Sequence, residues 1–207
     1  MKFNIITIFP EIFSSYFNES ILKRAQEKKL IKINIHNLRD FAEDKHKKID
    51  DSPYGGGPGM VLKVAPVYRA VQNIKYKNKK NKSRVILFST RGKTFNQKTA
   101  QGLSKYDQLI LICGRYEGVD ERVARYIADE EISIGDFVLF GGEIPAMIVV
   151  DAVSRFIPKV LGKKESLEAV KGSYPVYTRP EIFNNWKAPK ILLSGNHDKI
   201  NKWRKRF

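Results

Sequence analysis

A chain of 207 residues is long enough to bury one sizeable α/β core, or one domain with a small appendage. Its composition, 42% hydrophobic and 29% charged, is ordinary for a soluble globular protein, and no apolar run approaches the roughly 18 residues that span a bilayer. The 38 basic against 22 acidic residues give a net charge of +16, which favours a polyanion, chiefly nucleic acid, or an anionic surface, although the abundance of Lys, Ile and Asn is equally compatible with a compositional bias.

The predicted elements alternate between strands and helices along most of the chain. Apolar runs bounded by turn residues predict strands over residues 3–9, 31–36, 84–89, 108–113 and 136–140. Apolar residues at helical spacing predict helices over 11–28, 64–74, 96–104, 119–128 and 143–159. Strands that alternate with helices indicate an α/β fold with a mainly parallel sheet over residues 1–160. Residues 161–177 are predicted to form an interdomain linker, and residues 178–207 a short helical carboxy-terminal domain.

The cysteine and histidine content bounds the chemistry. The single cysteine, Cys113, excludes an intrachain disulfide and fits a reducing cytoplasm. Because it lies in an apolar run, a small buried side chain is favoured over a nucleophile. The amino terminus alternates like a strand and lacks the small-residue cleavage site of a signal peptide. The three histidines, His36, His46 and His197, have no metal-ligand spacing, so no zinc site is expected.

Three glycine-containing loops each follow a predicted strand, at residues 89–92, 114–118 and 140–145. In an open parallel sheet, ligands bind beyond the carboxyl ends of the strands, so these loops are expected to converge on one pocket. None of them spells G-x-G-x-x-G, and the glycine-rich segment 54–60 is not followed by a Lys-Ser/Thr pair. A dinucleotide site and a Walker loop are therefore unsupported, and segment 54–60 is expected to be a mobile loop over the substrate.

Longer motifs carry a resemblance to a known family. In chain order they are RDF (39–41), DKH (44–46), DDSPYGGGPGM (50–60), CGRYEGVDER (113–122), IGDFVL (134–139), GGE (141–143), YTRP (177–180) and LSGNH (193–197). In this set and order the chain resembles the bacterial tRNA (guanine-N1)-methyltransferases, a family of the SPOUT superfamily. The resemblance covers essentially the whole chain.

The resemblance implies a parallel sheet with a deep trefoil knot, a rare exception to the rule against threaded loops. It implies a homodimer, S-adenosylmethionine as the methyl donor, and magnesium for activity. The target it implies is N1 of the guanosine directly 3′ of the anticodon in tRNA, a modification that maintains the reading frame. Neither DNA nor a membrane is implied as a partner.

Site residues follow from the same resemblance, position by position. The donor site is expected to comprise Ser89, Gly114, Tyr116, Glu117, Gly118, Ile134, Gly135, Phe137, Leu139, Gly141, Gly142 and Pro145. Contacts to the RNA substrate are expected from Asp50, Pro58, Gly59, Arg115, Ser166 and His197.

The catalytic groups are expected at the end of the last long helix and in the linker. Guanine N1 carries a proton at neutral pH, so a general base is required, and a cation near O6 stabilises the charge that develops there. The resemblance implies that Arg155 is this cation, and that Glu165 replaces the family's aspartate as base, with Glu168 as the fallback. The alternatives are a helical pair of Arg155 with Asp151, and a linker in which neither glutamate aligns.

Two departures from the family keep other interpretations open. The first donor loop reads Ser89-Thr90-Arg91-Gly92 where the family usually has Ser-Pro-Gln-Gly, and the chain is expected to be shortened after Trp203 and Arg204. One alternative is a SPOUT methyltransferase that acts on another RNA. The second is a non-catalytic RNA-binding homologue, which would bind no S-adenosylmethionine.

Overall fold

The computed structural model describes residues 1–77, 82–162 and 174–206. Contacts divide the chain into two compact units, Met1–Val160 and Leu161–Phe207. No helix in the described part of the chain is long and apolar enough to cross a membrane.

The first unit is built on a parallel sheet. In chain order the strands of this unit are β1 (Lys2–Thr7), β2 (Lys32–Asn37), β3 (Asp50–Asp51), β4 (Val61–Leu62), β5 (Ser83–Thr94), β6 (Gln108–Ile112) and β7 (Glu130–Ser133). Five of them form one sheet in the order β2-β1-β6-β5-β7, and every pairing within it is parallel. β3 and β4 form a separate antiparallel pair. The predicted α/β fold with a parallel sheet is confirmed.

Helices cover both faces of this sheet. They are α1 (Ser14–Phe17), α2 (Ser20–Glu27), α3 (Val64–Lys77), α4 (Gln97–Leu103), α5 (Glu121–Tyr126) and α6 (Glu143–Ser154), with 3-10 turns at Pro10–Phe13 and Leu38–Phe41. Strand β6 is buried at every residue, as expected of a central parallel strand covered on both faces. Side chains alternate between two apolar clusters, so that Ile5 packs in the cluster with α2, α4 and α6, and Ile6 in the cluster with α3 and α5.

Capping side chains set the starts of two helices. Asn96 accepts a hydrogen bond from the backbone N–H of Thr99 at the start of α4, and Asp120 accepts one from that of Arg122 at the start of α5. These bonds satisfy backbone donors that the first turn of a helix leaves without a partner.

The predicted strand over residues 136–140 is wrong. The strand of this region is β7, which ends at Ser133, and residues 134–140 form a loop. The Ser133 hydroxyl donates to the carbonyl of Gly135 and accepts from its backbone N–H, which closes a turn there. Val138 is 84% and Phe140 96% exposed, so the apolar run that predicted a strand belongs to a loop surface.

Two predicted helices are also corrected. The helix predicted over 11–28 is three short elements, Pro10–Phe13, α1 and α2, with a break before Ser20, whose φ is +50°. The helix predicted over 143–159 ends earlier, at Ser154.

The second unit contains β8 (Ile182–Phe183), β9 (Trp186–Lys187), α7 (Lys190–Leu193) and α8 (His197–Arg204). The sequence interpretation missed the β8–β9 hairpin, whose two-residue turn has Asn184 and Asn185 at positive φ, as such turns require. Within this unit the ring of Trp203 lies 6.4 Å from that of Tyr177.

Candidate active site

A cavity of about 480 Å³ lies beyond the carboxyl ends of β6 and β7 and beside residues 87–91 of β5. Segments from all three predicted loops line it, as the sheet topology predicts. Of the residues expected at the donor site, those on the cavity wall are Ser89, Gly114, Tyr116, Glu117, Gly118, Ile134, Phe137, Leu139, Gly141, Gly142 and Pro145. Gly135 is not on the wall and lies in the turn closed by Ser133.

Two of these loops meet at their backbones. The N–H of Gly142 donates to the carbonyl of Gly114 at 2.9 Å. A Cβ on Gly142 would lie 2.6 Å from the Cα of Cys113, which is closer than such atoms approach in proteins. Glycine at this position therefore allows the loop before α6 to pack against the end of β6, at the wall of the cavity.

A buried ion pair connects the same two loops, between Arg115 and Glu143. Glu143, the first residue of α6, is 1% exposed and accepts hydrogen bonds from the Thr7 hydroxyl at 2.8 Å and Arg115 Nε at 2.9 Å. The Arg115 guanidinium also lies 4.7 Å from the centre of the Phe9 ring. Both charges have partners, as a buried pair requires, and the helix amino terminus further favours the carboxylate. The structure thus gives Arg115, expected to contact RNA, a structural partner in Glu143.

Cys113 lies beneath this contact and is inert. It is buried, and burial raises the pKa of its thiol well above the usual value, with the charge of Glu143 adding to the effect. A thiol held in the protonated form is a poor nucleophile, in agreement with the structural interpretation of this residue.

The segment 89–92 is a bulge inside β5, and the prediction that it follows the end of a strand is wrong. Phe88 and Lys93 both pair with Ile132 of β7, so the residues between them are looped out. On this bulge Arg91 Nη2 lies 2.7 Å from Glu121 Oε2 and 3.9 Å from Glu131 Oε2. Hydrogen bonding to Arg91 lowers the pKa of Glu121.

These three side chains all line the cavity. The sequence interpretation did not assign Arg91, Glu121 or Glu131 to the site. Glu121 belongs to a quoted motif, but its role depends on the bulge, which no local pattern predicts.

The glycine-rich segment 54–60 lies beside the loop at residues 114–118. It joins β3 to β4, and its tip residue Tyr54 is fully exposed. The N–H of Glu117 donates to the carbonyl of Met60, and the N–H of Leu62 to that of Gly118, both at 3.0 Å. Gly59 lies against the wall residue Glu117, since a Cβ on Gly59 would lie 2.5 Å from the Glu117 side chain. Pro58 precedes it in the chain, and Asp50 pairs with Leu62 between β3 and β4.

Arg155 is not among the residues that form the cavity wall. Arg155 is half-buried and caps the carboxyl end of α6, and one turn earlier Asp151 accepts a hydrogen bond from the Tyr16 hydroxyl at 2.6 Å. That hydrogen bond, followed by burial, raises the pKa of Tyr16 to about 12. His197 begins α8 in the second unit. Glu165, Ser166 and Glu168 lie outside the described residues.

Comparisons with known proteins identify the family. The chain matches the family profile described as tRNA (Guanine-1)-methyltransferase TrmD over residues 1–207. It is 55% identical to a tRNA (guanine-N(1)-)-methyltransferase of Dictyoglomus turgidum, covering 100% of this chain and 84% of that protein. Identity to the protein of the same name from Clostridioides difficile is 50%, covering 99% of this chain and 91% of that protein.

Solved structures give the same result. The crystal structure of a tRNA (m1G37) methyltransferase from Aquifex aeolicus superposes with a TM-score of 0.83 at 45% identity, covering 98% of this chain and 87% of that one. The match over the whole chain, together with the shared fold, shows that this chain belongs to the tRNA (guanine-1)-methyltransferase family.

Proposed function

We propose that this enzyme transfers the methyl group of S-adenosylmethionine to N1 of the guanosine immediately 3′ of the anticodon in tRNA, and so maintains the reading frame. The observation that carries the proposal is the convergence of the 114–118 and 133–142 segments on one cavity at the carboxyl ends of β6 and β7, beside the bulge of β5, in a chain of this family. A cytoplasmic location follows from the substrate.

The cavity fits this donor in size and charge. Its volume of about 480 Å³ falls within the range of small-molecule pockets. Gly114, Gly141 and Gly142 present backbone to the ligand, and three carboxylates on the wall, Glu117, Glu121 and Glu131, suit a ligand with a sulfonium and an ammonium group. When bound, the donor supplies an electrophilic methyl group. The predicted trefoil knot would hold these loops together.

The residues of the chain must then make guanine N1 nucleophilic. We assign proton removal from N1 to Glu165, which resembles in position the family's aspartate, and charge stabilisation at O6 to Arg155. A positioned base contributes about 10²–10⁴ in rate. A cation placed where negative charge develops contributes a comparable factor.

The position of Arg155 supports a homodimer. It follows the last residue of α6, whereas Pro145, the wall residue on this helix, lies ten residues earlier, so that about 15 Å of helix separates them at 1.5 Å per residue. This is farther than an arginine side chain reaches. We therefore propose that Arg155 serves the cavity of a second copy of this chain.

An exposed apolar surface offers a place for the second copy. Ile144 and Ile148 lie one turn apart on α6 and are 51% and 40% exposed. Ile12 and Tyr16, on the neighbouring 3-10 turn and α1, are exposed to a similar extent, and the Tyr16–Asp151 hydrogen bond ties these elements together. A contiguous apolar surface of this kind is typical of a protein interface.

We also propose that activity requires magnesium, and that the ion is not held by a site made of several protein side chains. The described residues contain no cluster of three or more His, Cys, Asp or Glu side chains that would hold a metal ion. Mg²⁺ commonly keeps several waters and binds through one or two carboxylates.

The test is transfer of labelled methyl from S-adenosylmethionine, with magnesium, to two tRNA transcripts that differ only in carrying guanosine or adenosine 3′ of the anticodon. We expect label in the guanosine transcript alone, and none after chelation of magnesium. Equal labelling of both transcripts, or labelling of neither, would contradict the proposed target.

A further inference from the structure

The wall of the cavity carries arginines to which the proposed function gives no role in binding the donor. Three carboxylates and two arginines, Arg91 and Arg115, make up the charged residues on its described wall. The donor ends in a zwitterion, with a carboxylate beside an ammonium group. In a cavity with a negative balance that carboxylate requires a cation partner, because Coulomb repulsion is strong where water is excluded.

Arg115 is not available for that role. Its side chain is 20% exposed, its Nε donates to the buried Glu143, and its guanidinium covers the Phe9 ring. Moving it would leave Glu143 as a buried charge without its ion partner.

Arg91 is placed at the rim and accessible. Its side chain is 67% exposed, and a 2.7 Å bond to Glu121 holds one end of the guanidinium. The backbone N–H of Arg91 donates to the Ser89 hydroxyl at 3.2 Å, which fixes the residue on the bulge. A guanidinium has five N–H donors in a fork, so one carboxylate contact leaves donors for a second.

Glu131 supplies an acceptor beside this guanidinium. Its Oε2 is buried without a hydrogen-bond partner and lies 3.9 Å from Arg91 Nη2, beyond hydrogen-bond distance. The positive charge of Arg91 therefore lies between the negative charges of Glu121 and Glu131. This arrangement complements a ligand that carries a carboxylate beside an ammonium group.

We propose that Arg91 binds the carboxylate of the methionine end of the donor, with Glu121 and Glu131 beside it accepting the ammonium group. Arg91 is then a residue that determines specificity for the amino-acid end, and the adenosine end is held by the other loops. This inference rests on the proposed function only in taking S-adenosylmethionine as the donor, and not on the RNA target.

The test compares two ligands by calorimetry on the full chain without RNA. S-adenosylhomocysteine has the amino-acid end, and 5′-methylthioadenosine lacks it. Arg91→Gln is expected to weaken S-adenosylhomocysteine binding about tenfold, as for one partly exposed charge-assisted hydrogen bond, and to leave 5′-methylthioadenosine binding unchanged. Arg91→Lys should recover part of the loss.

Arg122→Gln is the matched control. Arg122 pairs with Asp120 at the same 2.7 Å and is 58% exposed, but it is not on the cavity wall. Its loss should change neither ligand's affinity. Equal weakening of both ligands by Arg91→Gln would show that Arg91 only supports the bulge, and no weakening of either would also overturn the inference. A wild-type chain that binds neither S-adenosylmethionine nor S-adenosylhomocysteine would contradict the proposed function itself.

Discussion

At the scale of single residues, the site separates side chains that hold it together from side chains that are open to ligand. Glu143 and Arg115 are paired with each other and largely buried, so their charges are satisfied before any ligand arrives. Arg91, Glu117 and Tyr116 lie on the cavity wall and are exposed. Sequence motifs alone do not make this distinction, because Arg115 and Tyr116 are adjacent in the same motif.

The assignment of the base gives a prediction at this scale. Replacing Glu165 with alanine should lower kcat for methyl transfer by about 10²–10⁴, since proton removal from N1 is lost. Affinity for S-adenosylmethionine should stay the same. Single-turnover transfer to a guanosine transcript measures the first quantity, and calorimetry the second.

Glu168→Ala is the control for this variant, because it removes a carboxylate three residues farther along the same segment of the sequence. Full activity of Glu165→Ala together with loss in Glu168→Ala would move the base to Glu168. Full activity of both variants would place it elsewhere.

At the scale of elements, the strands with long apolar runs were predictable and the loops around the cavity were not. β1, β2 and β6 lie within a residue or two of their predicted bounds. The central strands β1 and β6 are buried, largely apolar runs, and the edge strand β2 alternates apolar and polar residues. The run at 136–140 has the same composition but is a loop, since the turn at Gly135 ends β7 early. The bulge at 89–92 depends on pairing with β7, a tertiary contact that a local pattern does not contain.

The contact between the two glycine loops gives a prediction for an element. Gly142→Ala places a Cβ against the backbone of Cys113, so the loop before α6 must move away from residues 114–118. We expect the affinity for S-adenosylmethionine to fall at least tenfold, with the chain still folded. Calorimetry measures the affinity, and circular dichroism shows whether the variant keeps its secondary structure.

Gly102→Ala is the matched control for this substitution. Gly102 lies in α4, and a Cβ there would meet nothing within 4 Å. Alanine at a helical position should stabilise the chain by about 0.5–1 kcal/mol and leave donor affinity unchanged. Donor binding by Gly142→Ala at the wild-type level would refute the close-contact argument.

The cap of α5 predicts a dependence of stability on pH. Hydrogen bonds from the Arg122 side chain lower the pKa of Asp120 below its usual value. A carboxyl whose pKa is lowered in the folded state stabilises the fold above its unfolded pKa, near 4, and loses that contribution as pH falls through the folded pKa.

Asp120→Asn keeps a good capping residue and removes the charge. At pH 7 the variant should be less stable by no more than about 1 kcal/mol, because the exposed Arg122 is screened by solvent. Urea unfolding at pH 7 and at pH 3 should show this difference shrinking at the lower pH. An equal difference at both pH values would show that the charge does not contribute.

At the scale of the whole molecule, the net charge of the chain and the charge of the cavity wall have opposite signs. The chain carries +16, which attracts a polyribonucleotide over distances set by salt, yet the described wall of the donor cavity has more carboxylates than arginines. The positive net charge of the chain thus favours binding of tRNA, and the negative charge of the cavity wall favours a small cationic ligand. Neither property places Arg155 near the donor, which is why we propose that Arg155 serves the cavity of a second copy of the chain.

Mixing two impaired variants, assayed at an S-adenosylmethionine concentration far below the Kd of Gly142→Ala, tests the shared site. Arg155→Ala has an intact cavity, and Gly142→Ala has an intact Arg155, so in a mixed dimer one of the two sites is complete. Random reassociation makes half of the dimers mixed, which predicts about a quarter of wild-type activity from two preparations that each show little activity alone under these conditions. The measurement is methyl transfer after the variants are unfolded together and refolded, with each variant refolded alone as the control. A mixture as inactive as its components would mean that Arg155 acts in its own protomer, and that α6 does not separate it from the reacting guanosine.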